Sequence, residues 1–288
     1  VSCTADTAVP WTDRAYREFH GAGCGATDAD LRLDVVLTAE AVPATANGAT
    51  AVGCSESWTV SRTGAERWIV LQPPGHGDPL WSARFDGTPD RVTVYCGKGF
   101  VQDRNGQVEV FSPVHYPLDQ LLLMYALAER CGLVLHAAGA RVAGKGVVFA
   151  GKSGAGKSTL MRQVCQRPSP GMAPLSDDRV VIRAQDRGLQ VFGSPWPGDA
   201  GIAANLGCCL SAILFLKHGT ENSLRSLEPR EVLAGLLPVA SLLWFEPELL
   251  TCMLSFCDRL VREIPAFEFS FRPDLESVDV LESFAKQL

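Results

Sequence analysis

Six lysines stand against twenty arginines in this chain, and two of the six fall within nine residues: Gly151-Lys-Ser-Gly-Ala-Gly-Lys157-Ser158-Thr159. The spacing G-x-x-x-x-G-K-[ST] belongs to a loop that wraps phosphate. Its glycines let the backbone curl around phosphate oxygens with no Cβ in the way. Successive N–H groups then face the anion, backed by the positive end of the following helix. The expected nucleotide-binding residues are therefore Ser153, Gly154, Ala155, Gly156, Lys157, Ser158 and Thr159. Lys157 would place its charge on the β- and γ-phosphates, and the Ser158 hydroxyl would hold Mg²⁺. At this chain's residue frequencies the pattern arises by chance in roughly 1% of such sequences. The bland alternative is a glycine turn with no ligand. The expectation is a nucleoside triphosphate, ATP by preference, with Mg²⁺.

A second chemical feature follows: Leu175-Ser-Asp177-Asp178-Arg179-Val-Val-Ile, whose first aspartate lies eighteen residues after Thr159. Adjacent carboxylates between strands suit metal and proton chemistry. One holds Mg²⁺ directly or through water, and the other accepts a proton from an attacking hydroxyl. Ser158 and Asp178 are the expected metal-side oxygens, and an aspartate-rich turn is the plain alternative. Other nucleotide classes lack their marks. No N-K-x-D guanine signature follows the loop, Asp103-Arg-Asn-Gly106 precedes it in the wrong order for a GTPase, and no L-S-G-G-Q occurs.

The elements that must position these residues are legible in the hydrophobic pattern. Val147–Ala150 is a short buried-strand run directly before the loop, and Ser158–Arg167 is helix-compatible directly after it. Pro117–Arg130 predicts a buried helix, with Pro near its start and an apolar middle. Further strands are expected over Leu133–Ala138, Arg179–Arg183, Leu189–Phe192, Ala212–Leu216 and Phe267–Phe271, and helices over Leu227–Ala234, Pro247–Arg262 and Leu275–Lys286. Residues 1–115 read differently. Short β-branched and aromatic runs (Trp58–Arg62, Arg67–Leu71, Leu80–Phe85, Arg91–Tyr95, Val108–Phe111) alternate with turns such as Thr63-Gly64 and Asn105-Gly106. That pattern predicts an antiparallel sheet. Four of the six tryptophans lie there, as core or as a surface that grips a polypeptide. The fold class is thus α/β, with a β-rich domain over 1–115 and a catalytic domain over 116–288.

Bulk properties narrow the partners. At 288 residues there is ample chain for a core, and a net charge of −6 with no basic run argues against nucleic acid. No apolar run is long enough to span a membrane and the first residues carry no signal-peptide pattern, so a cytoplasmic protein is expected. The ten cysteines show no C-x-x-C and no zinc spacing, and are expected to be buried, free and inert.

In this order, His136 before the loop, GKSGAGKST at it and SDDRVVI after it, the chain resembles HPr kinase/phosphorylase. It is most similar to the short HPr-kinase-like proteins of peptide biosynthesis clusters, namely lasso-peptide precursor kinases and the SynChlorMet cassette protein C type. Leu135–Gly139, Ser153–Leu160, Leu175–Val180 and Ser194–Gly198 carry that likeness, which spans residues 116–220. The resemblance implies the HPr-kinase/phosphoenolpyruvate-carboxykinase variety of P-loop core. It makes one of Asp177 and Asp178 the base, Asp177 by preference, with His136 beside the pair. Arg179 would order the carboxylates, and Ser194–Asp199 would shape the acceptor pocket. It implies an ATP- and Mg²⁺-dependent kinase acting on a Ser/Thr hydroxyl of a peptide or small protein, such as a ribosomally made precursor. The glycine-rich signature used for phosphorolysis has no counterpart in Gly201–Cys209, so dephosphorylation is not expected, and the oligomeric state stays open. A small-metabolite kinase and a nucleotide-switch ATPase without an acceptor are the rivals.

Overall fold

Strand-forming residues organise most of the chain. The structure, a computed structural model, describes residues 14–19, 29–38, 40–45, 48–104 and 107–288. The expected Asn105-Gly106 turn, Trp11, Cys3 and Cys24 lie outside them. The described chain forms two compact units. One takes residues from 29 to Ala126 together with Leu243–Pro247; the other takes 14–19, Leu127–Leu242 and Glu248–Leu288. A one-turn helix, α1 (Arg14–Arg17), comes first.

The first unit is built on a six-stranded sheet of β1 (Arg32–Leu37), β2 (Thr50–Cys54), β3 (Trp58–Thr63), β4 (Glu66–Leu71), β5 (Trp81–Asp86) and β6 (Arg91–Cys96), ordered β1-β6-β5-β4-β3-β2. Alternation sets which side faces inward: Val92, Val94 and Cys96 of β6 are buried while the residues between them are not. Hairpins join β2 through β6, with Gly64 and Gly87 at positive φ in two of the turns. The sheet is not wholly antiparallel as expected, because β1 runs parallel to β6 at the edge. The long connection from β1 to β6 leaves either direction open, and only strands joined by short turns are bound to run antiparallel. A small hairpin, β7 (Val101–Arg104) with β8 (Gln107–Val110), follows.

Helix α2 (Leu118–Glu129) comes next. Its Tyr125 ring meets Phe85 edge-on, and its hydroxyl donates to Glu246 Oε1 at 2.8 Å. Glu246 also accepts from Arg67 at 2.5 and 3.0 Å, a forked pair in the interior. Burial, with the Glu246 carboxylate beside it, pushes the Tyr125 hydroxyl above its ordinary range, so it stays a donor.

The second unit contains β9 (Gly132–Leu135), β10 (Ala137–Val142), β11 (Lys145–Ala150), α3 (Lys157–Gln166), β12 (Ala173–Ser176), β13 (Val180–Gln185), β14 (Gly188–Gly193), β15 (Gly207–His218), β16 (Ser223–Ser226), α4 (Pro229–Leu236), α5 (Pro247–Glu263), β17 (Ala266–Phe271) and α6 (Glu276–Ala285). Its nine strands run β12-β10-β11-β15-β14-β13-β9, with β17 on β15 and β16 on β17. β11, β15 and β17 are mutually parallel, so Ala150, His218 and Phe271 end at one edge of the sheet. In such sheets the crevice outside the carboxyl ends is where ligands bind. The amphipathic helix α3 lays Leu160, Met161 and Val164 on this sheet beside Val278, Leu281 and Ala285 of α6. Truncating Leu160 or Met161 to alanine would cost about 2–5 kcal/mol. The thiols among the described residues are free, but only Cys96 and Cys257 are buried; five are exposed, correcting the expectation that cysteines sit in the core. Burial pushes the Cys96 thiol up to about 12 and Cys257 to about 11, which keeps both inert.

Candidate active site

β11 delivers the chain into Gly151–Gly156, and α3 starts at Lys157. The conformation of the loop requires its glycines at two points. Gly154 has φ 81°; Gly156 has φ 95°, and a Cβ there would lie 2.6 Å from Phe271 Cζ. No side chain caps the first turn of α3. Its leading N–H groups are therefore available to an anion. The Lys157 ammonium folds back on the loop, donating to the Gly151 carbonyl at 2.8 Å and the Lys152 carbonyl at 3.4 Å. Burial pulls its pKa down and the Asp178 carboxylate opposes that, which places the two charges within electrostatic reach. Ser158 and Thr159 are half-buried on the same turn, while Ser153 is exposed at the tip.

The two aspartates follow β12 directly. The Ser176 hydroxyl accepts the N–H of Asp178 at 3.4 Å and of Arg179 at 3.3 Å, bending the chain into β13. Adjacent in sequence, the carboxylates point to different surroundings. Asp177 is 1% exposed and accepts three main-chain N–H groups: Gly198 at 2.8 Å, Ala200 at 2.6 Å and Ile202 at 3.0 Å. Its lone pairs serve the 198–202 loop. Arg162 of α3 holds the same loop by donating to the Asp199 carbonyl at 2.9 Å. Asp178 keeps 20% of its side chain exposed, receives the Arg179 guanidinium, and has Oδ1 3.5 Å from His136 Nδ1.

His136 reaches Asp178 because the strand expected over Leu133–Ala138 breaks there. β9 ends at Leu135 and β10 begins at Ala137, and the His136 N–H donates to the Val239 carbonyl at 2.7 Å instead of extending a ladder. Burial lowers the His136 pKa; Asp178 opposes, while Lys157 and Arg179 reinforce. Burial thus favours the neutral imidazole. His136, Lys157, Asp178 and Arg179 share one electrostatic neighbourhood, whereas the Asp177 oxygens are bonded to the 198–202 loop.

The Ser194–Asp199 segment, expected to shape the acceptor pocket, packs beside the two aspartates. Trp196 is buried, the Ser194 hydroxyl donates to the Arg179 carbonyl at 2.7 Å, and Gly198 supplies an N–H to Asp177. A Cβ at 198 would meet Asp177 Oδ2 at 2.9 Å and Asp178 Cβ at 3.0 Å, so glycine is needed there for close approach. His218, which the sequence reading passed over, ends β15 and bonds the loop through Nε2 to the Gly154 carbonyl at 2.7 Å. A histidine closing a buried strand parallel to the one that feeds the loop was the available signal.

Among the described residues no three His, Cys, Asp or Glu side chains converge as a metal cage. The oxygens at hand, Ser158 and Asp178, suit a hard ion that takes few protein ligands and completes its shell with phosphate and water. Mg²⁺ fits that set.

The fold and this constellation define a mixed α/β protein with an N-terminal β-rich sheet and a C-terminal α/β unit. The chain belongs to the ScmC family, SynChlorMet cassette protein ScmC, whose sequence model matches residues 117–269. Among solved structures it is similar to the Hpr(Ser) kinase/phosphatase from Coxiella burnetii, at 12% identity over 54% of this chain and 88% of that one, with a TM-score of 0.30. So distant a likeness decides nothing here about activity. No curated protein matches the chain. No helix among the described residues is long and apolar enough to cross a membrane.

Proposed function

We propose that this chain is an ATP- and Mg²⁺-dependent kinase that phosphorylates a Ser/Thr hydroxyl of a peptide or small protein. On this reading residues 116–288 are a P-loop kinase core of the HPr-kinase/phosphoenolpyruvate-carboxykinase type, and the β-rich residues 1–115 are a domain of their own with peptide or protein binding as its proposed part. The observation that carries the reading is the common neighbourhood of Lys157, Asp178 and His136 beside the glycine loop at the carboxyl ends of the parallel strands.

Free N–H groups at the start of α3 bind the phosphates, and Lys157 exchanges its loop carbonyls for β/γ-oxygens. Mg²⁺, held by Ser158 and by Asp178 through water, would offset phosphate charge. Asp178 takes the hydroxyl proton as the acceptor oxygen bonds to the γ-phosphorus, and the bond to the β-phosphate oxygen breaks, leaving ADP with the electron pair. Arg179 fixes the orientation of Asp178, and neutral His136 borders it without quenching its charge. Asp178 is preferred to Asp177 as base, because burial and three main-chain N–H partners commit Asp177 to the 198–202 loop.

The test compares ATP consumption with and without candidate hydroxyl peptides. Acceptor-dependent turnover that Asp178→Asn abolishes supports the kinase. Equal turnover without acceptor, unaffected by Asp178→Asn, supports the switch ATPase instead.

A further inference from the structure

We propose that His218 is a positioning residue of the nucleotide site, holding the phosphate loop open for its anion. The inference rests on the reading of Gly151–Thr159 as a triphosphate-binding loop. His218 stands at the carboxyl end of β15, in register with Phe271 of the parallel strand β17. Its Nε2 lies 2.7 Å from the Gly154 carbonyl oxygen, so Nε2 carries the hydrogen and donates it. Its ring stacks on Phe271 with centroids 6.2 Å apart at 26°. Phe271 is itself buried against the position where Gly156 allows no Cβ. The His218 ring is thus aimed at the loop by a rigid, buried neighbour.

The consequence follows from peptide geometry. Across the planar trans unit joining Gly154 to Ala155, the carbonyl and the N–H point in opposite directions. His218 takes the carbonyl, and the Lys152 carbonyl takes the Ala155 N–H at 3.0 Å. With that plane pinned from both sides, the negative end of the Gly154 carbonyl cannot turn toward the phosphates. The next N–H groups, at Gly156 and the start of α3, are left to face them. Without the His218 donor the 154–155 plane is held from one side only, by the Ala155 N–H, and Gly154 at φ 81° resists rotation little because glycine tolerates many conformations. Nucleotide binding would then bear the cost of ordering the loop.

The test is titration of the full chain with a fluorescent ATP analogue plus Mg²⁺, comparing His218→Ala, His218→Gln and His218→Asn. Gln places an amide N–H near the Nε2 position and Asn does not. Loss of one oriented hydrogen bond predicts about five- to tenfold weaker binding in His218→Ala and His218→Asn, recovery toward wild type in His218→Gln, and a melting temperature that stays put. Affinity unchanged in His218→Ala overturns the proposal. So does equal weakening in all three variants, which would point to ring packing instead of the hydrogen bond. Because the readout is binding, a chain that binds nucleotide yet phosphorylates nothing refutes the kinase reading alone. A wild-type chain that binds no nucleotide overturns both.

Discussion

Exchanging each aspartate for asparagine in turn separates scaffold from base. Asp177 receives two N–H groups on Oδ1 and one, from Ala200, on Oδ2 at 2.6 Å. In Asp177→Asn the amide oxygen can keep Gly198 and Ile202, but its NH₂ then faces the Ala200 N–H, donor against donor. One buried donor loses its partner, and two remaining bonds lose their charge assistance. An orphaned buried donor costs about 1–3 kcal/mol, so about 2 kcal/mol is expected, which lowers the melting temperature by about 4–8 °C in a chain of this size. Asp178 keeps 20% of its side chain exposed and its carboxylate meets side chains, Arg179 and His136, so Asp178→Asn should melt closer to wild type. Activity should order the other way. Losing a general base costs about 10²–10⁴-fold in rate, whereas Asp177→Asn should keep a measurable fraction of kcat at a temperature where it stays folded. The assay pairs thermal melts with single-turnover phosphorylation. An Asp177→Asn protein that melts normally yet is inactive would refute the reasoning.

Lys157→Ala should leave the fold intact and cost orders of magnitude in phosphotransfer, read as kcat/KM, because it removes the charge placed on the β/γ-phosphates. Gly156→Ala should abolish nucleotide binding, measured by titration, since its Cβ would overlap Phe271 at a φ of 95°. Glu246→Ala strands the half-buried Arg67 guanidinium and the Tyr125 hydroxyl, so denaturant unfolding should show a loss of about 3–5 kcal/mol. His136, whose pKa is lowered in the fold from 6.5, binds fewer protons folded than unfolded. Stability should therefore fall as pH drops below about 6.5, and pH-dependent melts of His136→Gln should show a shallower fall.

The strand and helix that flank the glycine loop 151–156, and most strands of the second unit, are legible because hydrophobic runs and glycine spacing are local signals. Val147–Ala150 and Pro247–Arg262 needed only their own residues to be read. What escaped depends on partners distant in sequence. Leu133–Ala138 reads as one apolar run, yet it breaks at His136, whose N–H is claimed by Val239 more than a hundred residues away. The parallel edge strand β1 carries exposed Val35, Val36 and Leu37 and shows no clean alternation. The two aspartates are chemically identical in sequence; only the return of Gly198–Ile202 makes Asp177 a scaffold and leaves Asp178 reachable. His218 offered only its place at the end of a buried strand, since its partner Gly154 lies on another strand's loop.

The central claim is that a loop-bound triphosphate gives up its terminal phosphoryl group to a hydroxyl beside Asp178. Its most direct test is intact mass spectrometry of serine- and threonine-containing peptides after incubation with the chain, ATP and Mg²⁺. One phosphate should be added to a hydroxyl side chain, absent with Lys157→Ala and sharply reduced with Asp178→Asn. Phosphate added equally by the Asp178→Asn variant would contradict it.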